Sequence, residues 1–192
     1  MRKWNGCNEG SIPMTKTPVP CLVDTGVPLV ANRQAAQASP ACVVACTNAL
    51  HNITRQGGLV LDSLGEIFTE YKNNLLQRGQ RGPGDEFLLW VITNQWTPGR
   101  CDRVTLTRSS QTPPFYAEYP PDPALARFDP SDCKFVAASN AHPDKPPILV
   151  SLDTDWANAK LALEEAGIRV NELCTADLRT LQQRKAKRSK RN

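Results

Sequence analysis

The chain has two histidines, no C-x-x-C pair, no G-x-G-x-x-G turn and no apolar stretch near the ~20 residues of a membrane span. Each absence removes a class of function. Without more histidine or paired cysteine, a zinc centre of the His or Cys kind is not expected. Without the glycine fingerprint after a strand, a dinucleotide reading fails. Without a long apolar run, no membrane partner is expected. The first twenty residues, MRKWNGCNEGSIPMTKTPVP, begin basic but hold no apolar h-region and no small-residue cleavage site, so no secretory signal is expected and the location implied is cytoplasmic. There is no internal repeat. The seven cysteines, at 7, 21, 42, 46, 101, 133 and 174, are odd in number and sit mostly in apolar segments, which reads as reduced, buried small hydrophobes. Cys42 and Cys46 share a helix face, and core packing is the reading for them.

What is present suits one globular domain with room for an insertion: 192 residues, 40% hydrophobic, both charge signs mixed. Charge is unevenly spread. Between Arg179 and Asn192 there are seven basic residues and no acid, leaving 16 basic against 19 acidic residues in the body. Such a tail reads as solvated and disordered, and it would attract a polyanion through a salt-sensitive, sequence-independent term. Arg184, Lys185, Lys187 and Arg188 are therefore candidate nucleic-acid contacts.

The body is organised around CLVDTGVPLVAN, residues 21–32. Its short apolar run predicts a buried strand that stops at Asp24, placing an acid at a strand's carboxyl end, the edge where open α/β sheets bind ligands. Residues 1–19 read as irregular. A helix is expected to begin near Pro28 or Ala31. Another is opened by Pro40 and closed by Gly57 and Gly58, with Val43, Val44, Leu50 and Ile53 inward. Leu59–Leu61 predicts a strand, and Asp62 or Ser63 then caps a helix with Leu64, Ile67, Phe68, Tyr71 and Leu75 at helical spacing. On that helix Glu66 and Glu70 lie four apart, on one side.

From Gly79 to Asp129 the pattern changes. A glycine-rich turn, a compact apolar helix or strand (EFLLWVITNQW), a strand (RCDRVTLT) and a proline-rich loop read as an insertion or lid over 79–128. Its aromatics, Trp90, Trp96, Phe115, Tyr116 and Tyr119, suit packing of a small subdomain better than stacking on bases. The last third alternates: a helix opened by Pro130, Ser131 and Asp132, a strand at Pro147–Leu152, a helix from Trp156 to Ala166 and a strand at Ile168–Leu173. Strand alternating with helix predicts a parallel sheet. The strand PILVSL ends in Asp153-Thr154-Asp155, so carboxylates leave the same edge as Asp24, and Asp132 can point there too. Each of these aspartates has a plainer reading as a turn or helix cap; three acidic termini on one sheet edge favour a single explanation.

VDT after the first strand, a Glu on a following helix, SDCKFVAAS and SLDTDW together resemble the PIN domain, a family of metal-dependent nucleases. The motifs span residues 21–174, the stretch 79–128 being the less familiar part. The resemblance implies a three-layer α/β/α sandwich around a central, mainly parallel sheet over 20–178. It puts the family's acidic quartet on Asp24, Glu70, Asp132 and Asp153, with Asp155 close by as a further metal ligand and Ser151, Thr25 and Glu66 in support. Glu70 is preferred to Glu66 because it precedes Tyr71, as in the family. Gly26 departs from the family, where Asn is frequent. Such a cluster repels itself unless a cation neutralises it, and oxygen ligands suit Mg2+ or Mn2+. Asp24 and Asp153 would be direct ligands, Asp132 a ligand or water anchor, and Glu70 the group orienting the attacking water in phosphodiester hydrolysis. The resemblance further implies single-stranded RNA as substrate, a toxin or RNA-processing role, and a protein inhibitor as partner; a second copy of the chain is a further candidate partner. The rival readings are a decayed RNA- or protein-binding module and, ranked third, a phosphohydrolase using an aspartyl-phosphate.

Overall fold

The computed structural model describes residues 18–109 and 116–189, with side chains to Lys187. The irregular segment expected over 1–19, Cys7 and Phe115 fall almost wholly outside the described residues.

Among the described residues five short strands form the centre: β1 Leu22–Val23, β2 Leu59–Asp62, β3 Cys101–Val104, β4 Ile148–Val150 and β5 Val170–Glu172. All their pairings are parallel. β1 pairs with β4, which pairs with β5, while β2 pairs with β3 from Leu59↔Cys101 to Asp62↔Val104. A parallel bridge between Cys21 and Leu59, with Cys21 N donating to Gly58 O at 2.9 Å, joins the two groups. The spatial order is therefore β3-β2-β1-β4-β5. Parallel strands are covered on both faces, which is why these read as continuous apolar runs. β1, β2 and β4 are buried at every residue.

This order has a consequence for function. The chain steps from β1 to one side to make β2 and β3, then crosses to the other side for β4 and β5. The reversal between β1 and β4 is a topological switch point, and ligands in open α/β sheets bind in the crevice beyond the strand ends there.

Among the described residues seven α-helices surround the sheet: α1 Gly26–Ala31, α2 Pro40–Gln56, α3 Glu66–Asn74, α4 Pro83–Asn94, α5 Cys133–Ala141, α6 Thr154–Glu165 and α7 Thr175–Ser189. Ser39 Oγ accepts from Cys42 N at 3.2 Å and Pro40 occupies the first turn, so α2 begins where its caps dictate. Its inward stripe is Cys42, Cys46, Leu50 and Ile53. Val44, expected inward, is 57% exposed, because the cysteines take the core-facing positions and turn it outward. Leu64 is exposed for a different reason: it sits in the turn before α3. There the fully buried Asp62 carboxylate accepts from Glu66 N and Ile67 N, both at 2.9 Å.

The stretch 79–128 supplies α4 and β3. α4 packs on α1 and α2, and Gly84 comes so near Pro28 that a Cβ there would lie 2.2 Å from the Pro28 carbonyl oxygen. The buried Asp85 carboxylate accepts from Asn32 Nδ2, Leu76 N and Gly82 N, tying α4 to the ends of α1 and α3. β3 completes the sheet beside β2.

Two further expectations are corrected. Cys42 and Cys174, 132 residues apart, are joined in a disulfide rather than reduced, because the turn after β5 crosses the first turn of α2. The basic tail is helical as far as Ser189. No proline or glycine interrupts the chain after Gly167, and Leu178 and Leu181 pack α7 onto the core. Among the described residues no helix is long and apolar enough to cross a membrane.

Candidate active site

β1 ends at Val23, and the next residue, Asp24, is 5% exposed with its Oδ2 accepting from Gly26 N at 2.9 Å. The neighbouring strand β4 is followed by Ser151 and Asp153. Between these two strand ends opens a cleft of about 420 Å3 lined by Asp24, Thr25, Glu70, Asp132, Ser151 and Asp153, with Gln34, Gln37 and Asn74 at its polar margin. Four carboxylates from four separate stretches of chain thus share one cavity at the switch point. Two larger cavities, of about 530 and 620 Å3, hold fewer carboxylates.

Each acid arrives by a different local route. Asp132 sits at the N-terminus of α5 but makes no side-chain capping bond, so the plain cap reading does not account for it; it is 7% exposed. Asp153 does cap α6, accepting from Asp155 N at 2.7 Å. Glu70 comes from α3 and pairs with Lys134, whose ammonium also donates to the Ser131 carbonyl. Glu66 goes elsewhere: Arg108 pairs with it and the Tyr116 phenol donates to it, outside the cleft. Asp155 lies with Asp129 and Asn158 in the 530 Å3 cavity, so it does not join the other four acids.

Burial and crowding act together on these groups. Burial, then the charges of Asp153 and Glu70, push Asp24 up to about 7, against the pull of the Gly26 N–H and Lys134. Burial, then Asp24, Asp153 and Asp129, push Asp132 up to about 8, again opposed by Lys134. Burial raises Asp153 too, while Lys185 and the Asp155 N–H hold it down. Neutral pH thus finds the cleft short of positive charge.

Gly26 is required by this geometry. A Cβ there would stand 2.7 Å from Asp24 Oδ2 and 2.9 Å from Ser151 Oγ. No Asn can occupy the position unless both groups move. Thr25 is 5% exposed and its Oγ1 has no hydrogen-bond partner, although it lines the cleft.

Sequence reasoning missed Lys134. The available signal was a single charged residue within the buried helix CKFVAAS, where an unpaired ammonium would be costly. Among the candidate nucleic-acid contacts, Arg184, Lys185 and Lys187 are exposed on α7, and Lys185 Nζ donates to Thr154 Oγ1 beside Asp153. The Arg188 side chain lies outside the described residues.

The carboxylate oxygens do not close around a single point. Among the described residues, the one group of three or more His, Cys, Asp or Glu with ligand atoms all within 4.8 Å of one another is Cys42, Cys46 and Cys174. Comparison with protein-family models, curated proteins and solved structures gives no match.

Proposed function

We propose that the chain is a divalent-cation-dependent nuclease that hydrolyses phosphodiester bonds of single-stranded RNA in the Asp24–Asp132–Asp153 cleft. The observation that carries this reading is the convergence of four carboxylates at the β1–β4 switch point, of which Asp24 and Asp132 are buried and pushed toward neutral pH by burial and neighbouring charge. The PIN-like three-layer sandwich is part of the same proposal, supported by the parallel order β3-β2-β1-β4-β5 and by the resemblance of VDT, SDCKFVAAS and SLDTDW to that family. The toxin or RNA-processing role and the inhibitor rest on the resemblance alone.

The residues fit a hard cation. The donors are oxygens, the one ammonium of Lys134 does not balance them, and the buried Thr25 hydroxyl beside them has no hydrogen-bond partner. Asp24, Asp132, Asp153 and Glu70 would hold Mg2+ or Mn2+, in part through water since their oxygens are spread beyond a direct cage. When bound, such an ion polarises a phosphoryl oxygen and acidifies water for in-line attack. The chain's own part is positioning. Gly26 N–H fixes the Asp24 carboxylate, Ser151 packs beside it, and Lys134 steadies Glu70, the group placed to orient the attacking water. Lys185 adds positive charge at the rim for a phosphate backbone.

One observation favours a second reading. Lys134 already neutralises Glu70 from inside, which suits a decayed module that binds RNA or protein without cutting. Incubation of labelled single-stranded RNA with the protein in Mg2+, in Mn2+ and in EDTA, beside Asp24→Asn and Asp132→Asn, separates the two. The nuclease cuts only with metal and slows at least about 100-fold in both variants. Binding of RNA with no cutting in either metal supports the decayed module.

A further inference from the structure

The sulfur cluster is independent of the acid cleft and has no part in the chemistry above. Cys42 and Cys46 stand one turn apart on the inward face of α2, and Cys174 meets both from the turn that starts α7. All three are buried, at 4%, 0% and 4% exposed. The disulfide brings Cys42 and Cys174 together and Cys46 packs against it, so three sulfurs from two distant segments meet within 4.8 Å of one another. The Cys46–Cys174 sulfur separation is 3.8 Å. Once the Cys42–Cys174 bond is reduced, small side-chain rotations are enough to spread the sulfurs to the roughly 3.8 Å that tetrahedral thiolate coordination at about 2.3 Å requires. A small cavity of about 120 Å3 opens beside Cys42 and Cys174, with Ser39, Thr175 and Asp177 on its wall, and gives room for a water as fourth ligand.

We infer that Cys42, Cys46 and Cys174 form a site for one thiophilic cation of the Zn2+ class, which is closed when Cys42 and Cys174 are oxidised to a disulfide and open when they are reduced. The two states exclude each other because they use the same sulfurs. Opening requires a reductant. A phosphine attacks the disulfide, water supplies the oxygen that leaves as phosphine oxide, and two thiols result. Binding then forms three sulfur–metal bonds and releases three protons to solvent. Either state ties α2 to the start of α7.

The test uses the full chain, reduced with a phosphine, freed of reductant under argon and titrated with Co2+, a spectroscopic stand-in for Zn2+. The expected result is one Co2+ per chain with a thiolate-to-cobalt charge-transfer band, displaced by one equivalent of Zn2+. The disulfide form gives no band. Cys46→Ser keeps the Cys42–Cys174 disulfide under oxidising conditions, shown by thiol counting, which reports that it folds. After reduction it binds at least about 100-fold more weakly. Asp24→Asn retains the band, since oxygen ligands in the acid cleft give none. No thiolate band at one equivalent in the reduced wild type overturns the proposal, as does a Cys46→Ser titration that matches the wild type.

Discussion

The phenol of Tyr71 donates its hydrogen bond to the carbonyl of Val23, so α3 is fastened to the last residue of β1, one peptide before Asp24. Both side chains are fully buried, and Tyr71 also packs edge-on against Phe87 of α4. One bond thus links the helix that supplies Glu70 to the strand that supplies Asp24. Tyr71→Phe keeps the ring and leaves the buried carbonyl short of a donor, which costs about 1–3 kcal/mol. Urea unfolding is expected to show that loss with an unchanged slope. A stability equal to wild type would mean the bond does not hold these elements together.

The raised aspartates set a pH dependence whose sign can be worked out. In the unfolded chain Asp24 and Asp132 titrate near the ordinary 3.8; in the folded protein they titrate at about 7 and about 8. Well below pH 3.8 both states are protonated and nothing is lost. As pH rises, the unfolded chain releases these protons first, so the folded state loses relative stability progressively up to about pH 8. The metal-free protein is therefore expected to melt lower at pH 8 than at pH 5. Asp132→Asn removes the charge and is expected to raise the pH 8 midpoint, on the order of 5 °C for about 2 kcal/mol in a domain of this size, while abolishing cleavage. Thermal melts from pH 5 to 8 in EDTA decide it. A variant that melts below wild type at pH 8 would contradict the account.

Lys134 is the internal counter-ion of the cleft, lowering both Asp24 and Asp132 and pairing with Glu70. Lys134→Met preserves much of the apolar stem but removes the ammonium that would compete with the proposed cation. Mn2+ affinity measured by calorimetry is expected to rise several-fold at pH 7, while metal-free stability falls by about 1–3 kcal/mol as Glu70 loses its partner. Weaker Mn2+ binding in this variant would place the cation away from these carboxylates.

At Gly26 the space itself is the constraint, since an added Cβ meets Asp24 Oδ2 at 2.7 Å and Ser151 Oγ at 2.9 Å. Gly26→Ala is expected to cost about 1–3 kcal/mol by overpacking and to lower cleavage by displacing Asp24. Gly26→Asn, the residue frequent in the PIN family, is expected to be worse still. Rescue of activity by Asn would show that Asp24 and Ser151 yield more readily than their burial suggests.

What was legible in the sequence follows a division by range. Local signals placed the strand ending at Asp24, the limits of α2 from Pro40 to Gln56, and the acids Asp24, Asp132 and Asp153 on one sheet edge, because caps, breakers and apolar runs act within a few residues. Partners fixed by tertiary contact were not legible. The direction of the Glu66 side chain depends on Arg108 and Tyr116, some 40 to 50 residues away, and that of Asp155 on the α6 surface. Cys174 reaches Cys42 across 132 residues, and β3 joins β2 through a pairing that no local pattern announces. The helical tail was misread because composition registers its charge but not Leu178 and Leu181, which anchor it.

That anchoring gives the basic residues of α7 a defined place. Lys185 bonds Thr154 Oγ1 and holds Asp153 down, so its ammonium sits at the rim of the cleft, whereas Arg184 and Lys187 lie on the exposed helix surface. A phosphate bound at the rim would replace counterions there, and each such contact contributes about −0.7 to the slope of log affinity against log salt for a single strand. Measured on the Asp132→Asn background, so that the RNA stays intact, Lys185→Gln is expected to lower that slope by about 0.7 and to weaken binding irrespective of sequence. Arg184→Gln and Lys187→Gln act the same way only if the strand also runs along α7. If Lys185→Gln leaves the slope untouched, its ammonium serves the Thr154 contact alone, and the path of the nucleic acid must be sought on the Gln34–Gln37 side of the cleft.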